Sequence, residues 1–459
     1  MFKNTLPLFC LIVQSFLIQA QQNFSLSEAV DYAIKESSRL KIQKFDIDDA
    51  KQQVREYYAI GLPKLKAGAT YNYFLDIPTS ILPDFLSPAV YGILFKENVI
   101  PSRDIDFGSG FPAQFGTSHN LSGNIEFSTL LFDGSFFVGL KAQKLYQELI
   151  YKQIHQTEAD VRYQVTKAYL SALSTEESIQ IINKNISNLE KVYHEMSEIN
   201  KAGFVEKLDV DRLELSLENL RTEKEKLSRI SEVVQNLLKF QMNYPLDQKI
   251  ILSDNLEQVM NRSYLDIMDP NIRVDINKRP ETQVIDQSLQ LLNINLKRYR
   301  MSYFPSLFGF ASHSQSLQRN KLFDPDENGW LPTTVVGLQL SVPIFDGFDR
   351  NAKIARAKIA LAKTNTQKTE FERAVQLEFS NARSQYLNAL NTLESRKKSL
   401  QLAQKIYDTS NIKFKEGVGS SLELTQAERD LYLSQANVLE AKLMLSQAKA
   451  DLDKALGNY

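Results

Sequence analysis

The stretch LLFDGSFFVGLKAQKL at residues 130–145 recurs in altered form as PIFDGFDRNAKIARAKI at residues 343–359. In both stretches an apolar run typical of a strand reaches Phe-Asp-Gly, and a helical pattern follows. Asp accepts hydrogen bonds from the free N–H groups of a helix start, and Gly permits a sharp turn, so both stretches predict a strand-to-helix junction. Two such junctions in matched surroundings indicate an internally duplicated chain. The junction residues are Asp133, Gly134, Asp346 and Gly347.

The strands before each junction follow from alternation. In KLKAGATYNY, which begins at Lys64, apolar and polar residues alternate, and that pattern predicts a strand with two unlike faces. A proline, Pro63 or Pro305, stops a helix just before the first strand of each half. The second strand of each half alternates in the same way, whereas the strand near residue 310 is predicted mainly by analogy. The predicted strands are residues 65–74, 121–131, about 307–314 and about 335–344.

Long helices are predicted after each junction, because few Gly or Pro residues interrupt the sequence there. Apolar residues recur at the alternating spacing of three and four that is typical of coiled-coil packing. At 1.5 Å per residue, each outgoing helix would be roughly 100 Å long. The helical hairpins are predicted at residues 135–242 and 348–457. Their turns are KAGFVEKLDV at 201–210 and KEGVGSSLEL at 415–424, where Gly203 and Gly417 fit the left-handed residue that ends a helix.

The domain division follows from these elements. Residues 1–20 carry a lysine, an apolar run of about 13 residues and Ala20, which is the plan of a secretory signal peptide and too short to span a ~30 Å hydrocarbon core. The only cysteine, Cys10, lies in that run. The predicted divisions are a signal peptide at 1–20, a first repeat at 21–242, an irregular linker at 243–275 and a second repeat at 276–459.

Composition and motifs argue against several classes of protein. The formal net charge is −1, so a nucleic-acid partner is not indicated. The four histidines are too scattered to suggest a metal site. There is no glycine-rich phosphate loop after a strand and no nucleophile elbow, so we expect neither an enzyme nor a cofactor.

The four strands nevertheless fit a membrane protein. Strands can span lipid only in a closed barrel, and four strands are too few to close one. Two chains would give eight strands and a packed interior, whereas three would give twelve and a lumen, which favours three. The apolar faces would then contact lipid, and the long loop at residues 75–118, which is rich in proline, would lie outside the cell. A soluble sandwich is the alternative for the same strands.

The order of these motifs resembles the TolC-like outer membrane efflux proteins of Gram-negative bacteria. The resemblance covers residues 24–459 and is carried by SLSEAVDYAI, the strand-start prolines, LLFDG and PIFDG, and the paired K-x-G turns. It implies an α+β membrane protein that forms a trimeric 12-stranded outer membrane β-barrel continued by an α-helical coiled-coil periplasmic tunnel. It also implies partnership with a periplasmic adaptor and an inner membrane transporter in efflux or type I secretion. The alternative function is a trimeric coiled-coil surface stalk or adhesin.

The resemblance also implies a periplasmic gate at the helix turns. Asp209 matches an acidic latch position, Phe414 an aromatic latch position, and Glu423 a pore-facing acidic position. The sequence departs from the family at Gly419, where a latch arginine is expected, so Lys207 or Arg212 would have to replace it. Capping of the return helices is the alternative role for both acids. The predicted adaptor-contact residues are Gly203, Phe204, Val205, Gly417, Val418 and Gly419. The cargo is not indicated by the sequence.

Overall fold

The computed structural model describes residues 22–108, 110–260, 274–324, 326 and 329–459. The predicted signal peptide at 1–20, with Cys10, lies outside the described residues, as do residues 261–273 of the predicted linker. The chain divides into two units. One comprises residues 52–144 and 293–358 and holds the main sheet, and the other comprises the described parts of 1–51, 145–292 and 359–459 and is mostly helical.

The elements are numbered in chain order within the described residues. The strands are β1 Gln22–Phe24, β2 Lys64–Tyr73, β3 Thr79–Leu82, β4 Phe111–Gln114, β5 His119–Phe132, β6 Ile250–Leu252, β7 Ser306–Arg319 and β8 Leu331–Ser341. The helices are α1 Leu26–Glu36, α2 Ser38–Ala59, α3 Leu86–Lys96, α4 Gly134–Lys201, α5 Lys207–Met242, α6 Leu256–Met260, α7 Pro280–Met301, α8 Asp349–Lys415 and α9 Ser421–Leu456.

The main sheet has four strands in the order β2-β5-β7-β8, and each neighbouring pair is antiparallel. The predicted fold class is therefore confirmed as a duplicated α+β chain with four strands and two long helical hairpins. β7 is longer than predicted and runs to Arg319, although its own sequence alternates poorly. Its pairing with β5, from His119 opposite Arg319 onward, extends it, because register with a neighbour overrides a weak local pattern.

The sheet presents two unlike faces. Register places Leu65 opposite Phe127, Phe127 opposite Ala311 and Ala311 opposite Val336, so these residues share one face. The opposite face carries mostly polar side chains, among them Thr70, Asn72, Ser122, Asn124, Glu126, Ser312 and Ser314. The apolar face is exposed in the single chain: Val336 is 79% and Leu65 72% exposed. Among the described residues, β2 and β8 each leave one edge without a partner strand.

Three segments differ from their sequence-based description. The loop at residues 75–118 contains a hairpin, β3 with β4, and the 11-residue helix α3. The linker is not wholly irregular, because β6 pairs in parallel with β1 and α6 follows it. β8 begins at Leu331 and ends at Ser341, earlier than predicted at both ends. Strands of three or four residues are too short for alternation to reveal them.

The helical unit has its core in several apolar clusters. Leu189 and Met196 of α4 pack with Val210 and Leu213 of α5 and with Leu424 of α9, close to the two helix turns. Tyr407 and Phe414 of α8 pack against this cluster, so all four hairpin helices contribute to it. In the part of the chain that the structure describes, none of the helices is both long and apolar enough to cross a membrane.

Candidate functional site at the helix turns

The two helix turns are built in the same way. Gly203 and Gly417 have φ values of 81° and 71°, in the left-handed region where glycine is favoured. The N–H of each following residue donates to a carbonyl five residues back, Phe204 to Ile199 at 3.2 Å and Val418 to Lys413 at 3.0 Å. This bond closes a Schellman motif at the end of α4 and of α8. The duplication seen in the sequence thus extends to the geometry of the turns.

Gly419 is held by close contact with the end of α8. Its N–H donates to the Lys413 carbonyl at 3.0 Å. A Cβ added at Gly419 would lie 3.0 Å from the Cβ of Lys413 and from the backbone nitrogen of Phe414. A side chain at Gly419 would require the end of α8 to shift by a few tenths of an ångström, so the glycine suits the close packing of this turn.

Asp209 links the two turns within one chain. Its Oδ1 accepts a hydrogen bond from the Oγ of Ser421, the first residue of α9, and Ser421 is 2% exposed. Arg212 completes the link: its Nη1 donates to Ser421 Oγ at 3.0 Å and lies 3.6 Å from Asp209 Oδ1. Of the two basic residues considered as substitutes for the missing arginine, Arg212 is the one that these contacts bring to Asp209. We call Asp209, Arg212 and Ser421 the turn link.

Glu423 has different surroundings, although duplication puts it at the position equivalent to Asp209. The N-cap of α9 is Ser420, whose Oγ accepts from the Glu423 N–H at 3.2 Å. The Glu423 carboxylate instead pairs with Lys413 Nζ at 3.3 Å, and both side chains are about half exposed. The Glu423 carboxylate is therefore accessible to solvent, whereas Asp209 is engaged with Ser421.

The apolar residues of the turns divide into two groups. Phe204 is 83% and Val418 79% exposed, so each turn offers one apolar side chain to solvent. Val205 and Phe414 are half-buried and pack against the four-helix cluster. Single exposed apolar residues are common on protein surfaces, so their exposure shows that both side chains are accessible.

The strand-to-helix junctions have the contacts of helix starts. Asp133 Oδ1 accepts from the N–H groups of Ser135 at 2.7 Å and Phe136 at 3.0 Å. Asp346 Oδ2 accepts from the Arg350 N–H at 3.0 Å, and its carboxylate also pairs with the Arg350 guanidinium at 3.1 Å. Gly347 has a φ of 64°, whereas the glycine of the first junction is already the first residue of α4. Such contacts position the helices and need no catalytic role.

Sequence reasoning missed a buried acid on α9. Glu428 is 3% exposed, and its Oε1 accepts from the Tyr432 hydroxyl at 2.7 Å. Burial raises the pKa of Glu428 from the ordinary 4.5 to about 7, and the bond from Tyr432 offsets part of that rise. Its i, i+4 spacing from Tyr432 is the one signal in the sequence that points to this pair.

The raised pKa of Glu428 predicts that stability depends on pH. The folded chain holds this proton more tightly than the unfolded chain, so the stabilisation is complete below the ordinary pKa and is lost as pH rises through about 7. A rise of two to three pKa units corresponds to roughly 3 kcal/mol. We expect Tm to fall between about pH 5 and about pH 8. Glu428→Gln should remove much of this fall, and the exposed Glu440→Gln on the same helix should not. If Tm falls with pH equally in the parent and in Glu428→Gln, the raised pKa of Glu428 is not the cause of the pH dependence.

The described residues contain no group of His, Cys, Asp and Glu side chains arranged to hold a metal ion. At the turns, the turn link joins the two hairpins by hydrogen bonds, and Glu423 presents an exposed carboxylate.

Known proteins that match this chain in sequence are outer membrane efflux or export proteins. The outer membrane efflux protein family matches residues 276–458. The probable efflux pump outer membrane protein TtgC of Pseudomonas putida is 24% identical over 303 residues, which cover 64% of this chain and 59% of the relative. The pyoverdine export outer membrane protein OpmQ of Pseudomonas aeruginosa is 23% identical over 302 residues, covering 64% and 60%. The chain therefore spans about three fifths of these curated relatives.

The fold matches solved structures over a longer range. The outer membrane protein VceC of Vibrio cholerae has a TM-score of 0.68 at 12% identity, covering 94% of this chain and 96% of that one. At such identity the likeness establishes the fold. In sequence motifs and in fold, this chain is similar to the TolC-like outer membrane efflux proteins, which confirms the recognition made from its repeated junctions and turns.

Proposed function

We propose that the protein is the outer membrane channel of a tripartite efflux or type I secretion system. Three copies would form a passive conduit from the periplasm to the exterior. A periplasmic adaptor would dock at the helix turns, and an inner membrane transporter would supply the energy. One relative is named for a probable efflux pump and another for pyoverdine export, and both match this chain at similar identity, so we place the choice of cargo in the transporter.

The observation that carries this proposal is the four-stranded sheet, which has two unlike faces and, within the described part of the chain, two edges without a partner strand. An uncovered apolar face of this extent marks a surface that contacts lipid or protein. In lipid, unpaired strand edges are too costly to persist, so β2 of one copy must pair with β8 of the next. Three copies close twelve strands around a lumen lined by the polar face, and two copies would close only eight around a packed interior.

The helix turns supply the proposed periplasmic end. The exposed Phe204 and Val418 give each copy two apolar contacts for the adaptor, at equivalent places of the two repeats. The turn link of Asp209, Arg212 and Ser421 ties the two hairpins of one copy together. Opening of the periplasmic end requires these hairpins to separate, so the turn link would act as the intrachain part of the gate.

A trimeric surface stalk or adhesin is the competing function, because it also uses exported coiled coils and a small barrel. Ion conductance in planar bilayers separates the two. We expect the purified protein to form conducting channels, since a polar lumen of twelve strands holds water. A protein that inserts as a trimer and never conducts would overturn the conduit and favour the stalk.

Glu423→Ala should reduce cation selectivity and block by multivalent cations without preventing assembly. Three Glu423 carboxylates around one narrow axis would concentrate cations at the gate. The measurement is the reversal potential and the block by a trivalent cation in planar bilayers. Glu394→Ala removes the same charge from an exposed site of α8 and is the matched control. Glu423→Ala channels with the cation selectivity and trivalent-cation block of the parent would contradict the placement of Glu423 at the gate. A lower Tm with unchanged selectivity and block would indicate a structural role alone.

A further inference from the structure

The charged residues on the polar face of the main sheet lie together in two neighbouring rows. Strands β2, β5, β7 and β8 contain four residues of the Lys, Arg, Asp and Glu types, which are Lys64, Lys66, Glu126 and Arg319. Arg319 is opposite His119 and therefore lies on the apolar face, whereas the other three alternate with that face. Two lysines and one glutamate leave a net charge of +1 on the polar face of each chain.

Both lysines are exposed and accessible to a ligand. Lys66 is directly opposite Glu126 on β5, but the Glu126 carboxylate accepts a hydrogen bond from Asn124 Nδ2 at 2.9 Å. Among the residues that the structure describes, neither Lys64 nor Lys66 forms an ion pair or a side-chain hydrogen bond. An ammonium group without a partner keeps its three donors for an anion.

Two phenylalanines lie beside the lysines on this mostly polar face. Phe310 is opposite Ser128, which is itself opposite Lys64, and Phe308 lies two residues nearer the start of β7. Gly337 on β8 leaves space for the Phe310 ring, because a Cβ added at Gly337 would lie 2.7 Å from Phe310 Cζ. The ring therefore lies against the backbone of β8, and Phe308 and Phe310 remain 39% and 37% exposed.

The arrangement suits a ligand with two chemical parts. Lys64 and Phe310 are two strands apart, which is about 10 Å at the usual spacing of strands. One small molecule can therefore contact an ammonium group and an aromatic ring at the same time. A carboxylate, sulfonate or phosphate would bind to the lysines, and an apolar or aromatic group beside it would cover the exposed phenylalanine surface.

We propose that the polar face of the sheet carries a binding site for organic anions, formed by Lys64, Lys66, Phe308 and Phe310. This inference rests on the proposed function, because the polar face lines a lumen only in the closed barrel. Each copy would add two lysines and one glutamate to the same level of the lumen. Among the molecules that the transporter supplies, the site would favour those that combine a negative charge with an apolar group.

Block of the single-channel current in planar bilayers tests the lysines. The probe is naphthalenesulfonate, and block is measured because ion selectivity would also report on Glu423. Lys64→Gln combined with Lys66→Gln should weaken the block at least about fivefold, since two ionic contacts in water are lost. Arginine at both positions keeps the charge and should keep the block. Lys96→Gln removes a charge from an exposed residue of α3 and should leave the block unchanged.

A second anion tests the rings. Methanesulfonate carries the same charged group as naphthalenesulfonate without the aromatic part, so it should block the parent more weakly. Phe310→Ser should weaken the block by naphthalenesulfonate and leave the block by methanesulfonate unchanged. If both anions block the parent equally, or if Phe310→Ser changes neither block, the rings bind no part of the ligand and the inference is wrong.

The remaining outcomes separate this inference from the proposed function. Conducting channels that the probe does not block, or that it blocks equally in the parent and in the variant with both lysines replaced by glutamine, overturn the inference alone. Equal weakening in Lys96→Gln also overturns it, because the effect would then come from overall charge. A parent protein that inserts and never conducts overturns the proposed function, and the inference falls with it.

Discussion

Val336→Arg is expected to keep the protein from accumulating as folded trimers in the outer membrane. Val336 lies on the apolar face of β8, opposite Ala311, and is 79% exposed in the single chain. In the proposed barrel this face meets lipid, where an arginine near the middle of the bilayer costs about 2 to 4 kcal/mol. A trimer would carry this cost three times, which is comparable with the whole stability of an ordinary domain. The measurement is the yield of heat-modifiable trimer in outer membrane fractions.

The neighbouring valine supplies the matched control. Val335 lies on the polar face of β8, opposite Ser312, and is itself 46% exposed. Val335→Arg makes the same chemical change one residue away and places the guanidinium in the water-filled lumen, so assembly should survive. If both variants assemble equally well, or if only Val335→Arg fails, the apolar face does not meet lipid and the proposed barrel is wrong.

Asp209→Ala is expected to open the periplasmic end. The substitution removes the acceptor of Ser421 Oγ and leaves Arg212 without this carboxylate. A hydrogen bond that involves a charged group contributes about 1.5 to 3 kcal/mol, so loss of the turn link should shift the balance of closed and open states by at least about tenfold per chain. The measurement is open probability in planar bilayers at low voltage, where the parent should be mostly closed.

Asp211→Ala controls for the loss of one negative charge at the same turn. Asp211 is exposed and lies two residues further along α5. The Asp211→Ala substitution should leave the open probability close to that of the parent. If Asp209→Ala and Asp211→Ala channels have the same open probability, the turn link does not stabilise the closed state, even if Tm falls in Asp209→Ala.

The sequence was sufficient for the architecture because the deciding signals are local and repeated. Phe-Asp-Gly marks the start of α4 directly after β5, and in the second repeat it lies in the connection at residues 342–348 that precedes α8. Alternation in KLKAGATYNY indicates the two faces of β2. Gly203 and Gly417 fix both turns, since only glycine adopts their left-handed conformation at no steric cost. Each of these signals depends on neighbours in the chain and not on distant contacts.

The parts that the sequence did not indicate depend on contacts between distant segments. The pairing of β1 with β6 joins Gln22 to Ile250, and three residues carry no detectable period. The turn link joins Asp209 to Ser421, which are 212 positions apart. Duplication made Asp209 and Glu423 look alike, but Lys413, which pairs with Glu423, has the apolar Ile199 as its counterpart in the first repeat. Equivalent acids therefore acquired different partners.

The number of copies in the membrane-extracted particle tests the central claim most directly. Among the residues that the structure describes, β2 and β8 have no partner strand at their outer edges, so this four-stranded sheet should close only with its own copies. Native mass spectrometry of the protein released from outer membranes, with cross-linking in the intact membrane as a parallel readout, should show three chains per particle. A particle that contains two chains, or cross-linking that stops at the dimer, would contradict the twelve-stranded conduit.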